Sequence, residues 1–72
     1  MIELSFHRDL YSERAVDEAV RAFASVAEIE RGEGEGVVVL RVELRYPRHQ
    51  RRIVGELKNY ALARTIDLGG SR

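Results

Sequence analysis

The sequence predicts a two-layer α+β domain with the element order β-α-β-β-α. Three observations carry that reading. Apolar residues recur at every second position over residues 1–6 and again over 37–46. Apolar stripes of helical period run through 13–26 and 50–66. A glycine-punctuated break, Gly32-Glu33-Gly34-Glu35-Gly36, separates two β-prone segments. Strand 3 in the middle gives the order 1-3-2, antiparallel throughout, with both helices on one face. This is a ferredoxin-like arrangement without its last strand.

In the first strand Ile2, Leu4 and Phe6 share one face, and Glu3 and Ser5 the other. Ser12 is a good helix N-cap, Glu13 suits the positive helix end, and Tyr11 can staple onto Val16. Ala15, Val16, Ala19, Val20, Ala22, Phe23 and Val26 fill one arc of the helix that follows. Asp17 and Arg21 are spaced for an i,i+4 ion pair on the other. Ala27, Ile29 and Arg31 alternate with Glu28 and Glu30 as a short strand, and the five residues from Gly32 to Gly36 read as a flexible hairpin loop. In the longest strand Val38, Leu40, Val42, Leu44 and Tyr46 point inward, and Pro47 ends it. Arg48 to Arg52 lead into the last helix, whose core stripe is Ile53, Val54, Leu57, Tyr60 and Ala61. It gives out near Ile66, so residues 1–68 form one domain and 69–72 a disordered tail.

The second helix does not reduce to packing. Gly55, Leu62 and Ile66 lie in a narrow arc opposite the core stripe, beside the polar row Glu56, Lys58 and Asn59. Glycine costs roughly 1 kcal/mol against alanine inside a helix, so bare backbone there suits close approach by another chain. Strand 1, lacking the neighbour a fourth strand would supply, keeps an open edge at Glu3 and Ser5. A peptide or a second copy of the chain can add there, which makes a homo-oligomer an expected state.

Zero net charge hides an asymmetry. Residues 1–36 hold nine acids against four arginines, and residues 37–72 three acids against eight Arg and Lys. The ordinary reading is that the halves neutralise each other in the fold, the arginines meeting the acidic hairpin within or between chains. The rival reading starts from Arg45, Arg48, Arg51 and Arg52, with His49. They gather beside a helix N-terminus, where cations oppose the macrodipole, and so suit an external anion. Zero charge, a pI near 6.7 and the lack of an outward aromatic platform argue against nucleic acid.

Catalysis finds little support. There is no cysteine, and His7 and His49 sit in different loops, so no zinc spacing exists. Glu33 and Glu35 lie on a loop with no pocket to tune them, and the serines show no nucleophile elbow. No metal and no cofactor is expected. The absence of cysteines and of any apolar run of membrane length suits a cytoplasmic protein.

The run from Leu10-Tyr11-Ser12, through Ala22-Phe23-Ala24, to Gly55-Glu56-Leu57-Lys58-Asn59 resembles the HxsD proteins of His-Xaa-Ser peptide systems. The matching order spans residues 2–62, and the Gly-Glu-Leu-Lys-Asn block is its most specific part. Members of that type accompany radical-SAM-type partners and a repeat-bearing substrate protein. The resemblance therefore implies an accessory or recognition subunit that binds a protein or peptide, with Glu56, Lys58 and Asn59 as a contact row. Two features depart from the type: an arginine-rich loop before the second helix, and an end at Gly69-Gly70-Ser71-Arg72 where a further segment is expected.

Overall fold

A computed structural model describes residues 2–69. The elements are β1 (Ile2–His7), α1 (Glu13–Ala22), β2 (Ala27–Gly34), β3 (Val37–Leu44) and α2 (Gln50–Asp67), with a 3-10 turn at Pro47–His49 ahead of α2. The sheet has the order β1-β3-β2, and β3 is antiparallel to both neighbours. This is the predicted α+β architecture.

Alternation decides which side of the sheet is covered. Leu4 and Phe6 on β1, Ala27 on β2, and Val38, Leu40 and Val42 on β3 are buried, whereas Glu3, Ser5, Glu28, Glu30, Arg41 and Glu43 are exposed. Val16 and Ala19 of α1 and Leu57 and Ala61 of α2 join those strand residues in one cluster, so both helices lie on the same face. Burying a side chain such as Phe6 or Leu57 contributes roughly 1.5–3 kcal/mol, which makes this layer the main source of cohesion. Tyr11 meets Phe6 edge to face at 5.0 Å between ring centroids, and Phe23 meets Tyr60 likewise at 6.0 Å.

The junction between the helices hangs on Thr65, which is buried on α2. Its hydroxyl donates to the Ala61 carbonyl at 2.8 Å and accepts the Ser12 N–H at 3.0 Å. Ser12 caps α1, accepting from the Ala15 N–H at 3.5 Å. One hydroxyl thus ties the start of α1 to the last turns of α2. Beside it, Arg64 reaches Glu18 of α1 at 3.0 Å.

Four local expectations are corrected. The hairpin is not a five-residue loop: β2 runs on to Gly34, and only Glu35 and Gly36 turn. Ladder pairing of Gly32 with Val39 and Gly34 with Val37 outweighs glycine's freedom. A Cβ on Gly34 would come 2.8 Å from Val37 Cγ2, and Gly36 takes φ +70°, so both places suit glycine. Tyr46 does not point inward. It lies beyond the end of β3, where the strand alternation no longer holds, and it is 55% exposed. Ala22 is exposed because α1 ends there, with Phe23 as its C-cap. Asp17 pairs with Arg31 of β2 at 2.8 Å rather than with Arg21, because Arg31 points to the helix side of the sheet. Of the tail expected at 69–72, only Gly69 belongs to the described residues; it forms a turn at φ +91°.

Replacing Thr65 with valine keeps the shape but leaves the Ser12 N–H without its acceptor. Stability is expected to fall by about 1–2 kcal/mol, read as a lower urea midpoint at unchanged slope.

Candidate functional site

The outer face of α2 is open along most of its length. An ideal Cβ on Gly55 meets nothing within 4 Å, so the glycine is not relieving crowding inside the chain. Leu62 and Ile66 continue the same face at 44% and 68% exposure, and Lys58 and Asn59 flank it, both exposed. α2 buries one stripe through Ile53, Leu57, Ala61 and Thr65. It nevertheless keeps two aliphatic side chains and a strip of bare backbone in water. Single exposed apolar residues are ordinary; this alignment along one face is the distinguishing feature.

The basic corner runs directly into this face. Arg52, in the first turn of α2, binds Glu56 at 3.1 Å, joining the basic corner to the polar row one turn further on. Among the described residues, Arg45, Arg48, Arg51 and Lys58 form no salt bridge within the chain. The acidic hairpin is satisfied elsewhere: Glu33 lies 3.5 Å from Arg8 and 3.1 Å from Arg31. Arg31 also approaches Glu13 at 3.9 Å, and Arg8 Nε lies 2.6 Å from Glu13, a close ion pair without hydrogen-bond alignment. Glu13, Asp17, Glu18 and Glu33 are therefore met by arginines of the first half itself. Arg41 and Arg64 are the members of the basic half that cross to acids of the first, Arg41 at 3.7 Å from Glu3 and 3.8 Å from Glu30. Neutralisation of the basic corner by the hairpin does not occur within the chain.

Tyr46 adds to the corner. It lines a shallow surface groove with Val26, His49, Arg52, Ile53 and Glu56. Sequence reasoning missed this because it extended the strand alternation two residues too far.

The predicted site residues fall into two places. Gly55, Glu56, Lys58, Asn59 and Leu62 share α2 with Arg51 and Arg52, and Arg45 and Arg48 lie just before it. Glu3 and Ser5 lie on β1 and face away from both helices, so they do not join that row. Their own setting is an edge. The Arg8 N–H donates to the Gly36 carbonyl at 3.0 Å, continuing the β1–β3 register in which even-numbered residues of β1 bond to β3. By alternation the N–H and C=O groups of Glu3 and Ser5 and the N–H of His7 point off the sheet, while the His7 carbonyl accepts from the Leu10 and Tyr11 N–H groups at 3.0 and 2.9 Å.

Among the described residues no group of three His, Cys, Asp or Glu side chains gathers to hold a metal, and no helix is long and apolar enough to cross a membrane. No family model, curated protein or solved structure matches the chain.

Gly55→Ala tests the openness of α2. With no neighbour to meet, the methyl group should stabilise the helix by about 0.5–1 kcal/mol and raise the melting temperature by several degrees. A lowered melting temperature would show that the backbone there is already covered.

Proposed function

We propose that this chain is a small non-catalytic accessory subunit that recognises a protein or peptide partner through the outer face of α2. The observation that carries the reading is the open strip at Gly55, continued by exposed Leu62 and Ile66 and bordered by Glu56, Lys58 and Asn59. A partner segment can approach the backbone at Gly55, cover the two aliphatic side chains, and find polar atoms along both borders. The unpaired Arg45 and Arg48 ahead of the helix, with Arg51 in its first turn, favour a partner with acidic residues at that end. The likeness to the HxsD proteins supports a setting in a radical-SAM-associated peptide-modification system of the cytoplasm, with the chain as a recognition subunit and the chemistry performed by its partner.

A second reading has one observation in its favour: the same arginines, with exposed Tyr46 beside them, could receive a nucleic-acid backbone with a base stacked on the ring. One ring is a poor platform, and the chain carries no net positive charge to draw a polyanion.

Gly55→Leu separates these readings. The open space around Gly55 lets the fold accept the side chain, so circular dichroism should stay as in the wild type and melting should not fall. Capture of the native partner from lysate of the source organism should be lost, and unchanged capture contradicts the reading. Fluorescence titration with single-stranded and duplex oligonucleotides at low and high salt should give no binding. Salt-sensitive binding at low ionic strength would favour the second reading.

A further inference from the structure

We propose that the free edge of β1 is closed by a second copy of this chain. The two β1 strands pair antiparallel about a twofold axis at Ser5, forming one six-stranded sheet. The inference deepens the recognition reading by naming the occupant of the chain's other open surface, and it leaves the outer face of α2 to the heterologous partner.

The backbone fixes which registers are possible. Even-numbered residues of β1 bond to β3, so Glu3 and Ser5 hold outward N–H and C=O groups and His7 an outward N–H, its carbonyl already accepting from the Leu10 and Tyr11 N–H groups at 3.0 and 2.9 Å. Twofold pairing about Ser5 sets Ser5 against the partner's Ser5, and Glu3 against the partner's His7 on each side. In that register the two Ser5 residues exchange two backbone hydrogen bonds, and on each side the His7 N–H donates to the partner's Glu3 carbonyl, four bonds in all. Centring the axis on Leu4 instead would form as many bonds through Glu3 and Ser5 but set Glu3 against a serine, so the choice of register falls to the side chains.

Side chains agree with this register. Leu4 and the partner's Phe6 become neighbours on the helix-covered face, where both residues are already buried, so the two cores meet without a polar interruption. On the uncovered face each Glu3 lies opposite an imidazole instead of another carboxylate. Glu3 is 64% exposed and 3.7 Å from Arg41, so it would sit between that guanidinium and the partner's His7. Opposite-charge or hydrogen-bonded pairs facing each other across strands are favourable, and like charges there are not.

The other edge is guarded against the same event. Along β2, twofold pairing centred on Glu28, Ile29 or Glu30 places glutamate against glutamate, and centring on Arg31 places arginine against arginine. Further along, Gly32 and Gly34 present no side chain, and Arg31 and Glu33 are already bound to each other at 3.1 Å. Charges and glycines of this kind blunt an edge, whereas β1 carries neither lysine, proline nor bulge. One edge open and one closed gives a dimer, not a fibre.

Sedimentation velocity of the purified chain, with concentration raised towards about millimolar, should show a monomer–dimer equilibrium, since a single strand pair makes a small interface. Ser5→Pro removes an outward N–H at the axis without touching the bonds to β3, and should abolish the dimer. His7→Glu sets two carboxylates against each other at both ends and should raise the dissociation constant at least about tenfold. Adding Glu3→Lys to that variant restores opposite charges and should recover most of the loss. Circular dichroism confirms that each variant is folded; should Ser5→Pro fail to fold, the His7→Glu loss and its rescue decide. A monomer at every concentration, an open-ended series, or a dimer indifferent to His7→Glu overturns the proposal. Gly55→Leu should leave the dimer intact, so failure here and failure of partner capture are read separately.

Discussion

Packing of one face of a three-stranded sheet against two helices is the constraint on which the rest of this structure depends. β3 lies in the middle and presents Val38, Leu40 and Val42 to the helices, all buried. Its position makes β1 and β2 both edges. The period of two then places every odd-numbered side chain of β1 in water. The same antiparallel register decides which peptide groups of β1 face β3 and which face outward. Slipping β1 by one residue would expose Leu4 and Phe6 and bury Glu3 and Ser5, so the core sets the chemistry of the edge.

Charge is arranged around this packing rather than producing it. Arg8 and Arg31 draw Glu13, Asp17 and Glu33 into a network along the flank between α1 and β2, with partly exposed side chains throughout. Such pairs contribute little each, typically about 0–1 kcal/mol, but together they hold these three acids to arginines of the first half. What remains is a basic corner beside α2 with no acid of its own beyond Glu56. The segregation visible in the sequence is thus kept on the folded surface, where it can orient a partner at the end of α2 where Arg48 and Arg51 lie.

Much of the fold was legible because its signals are periodic. Alternation over β1 and β3 and the helical stripes of α1 and α2 each name a buried face, and those faces require one another. The hairpin was misjudged because glycine composition reports freedom, not use: Gly32 and Gly34 are held in the ladder by pairing with Val39 and Val37. Thr65 and Arg31 were missed for a different reason. A threonine at the far end of α2 gives no local sign that it will receive the N–H of Ser12, 53 residues away. An arginine on the inward side of a strand reads as an exception until the acids of α1 are placed beside it. The openness of Gly55 was legible as a question, since a helix-interior glycine needs a reason, but its surroundings are a tertiary fact.

Amide hydrogen exchange along β1, followed residue by residue by NMR, tests the central claim most directly, because that claim concerns where single N–H groups point. In dilute protein the Leu4 and Phe6 amides should be protected while those of Glu3, Ser5 and His7 exchange freely, and raising the concentration should slow those of Ser5 and His7 selectively. Uniform protection along β1 in dilute solution would show the edge already covered, and protection of the odd-numbered set in place of the even would contradict the β1–β3 register itself.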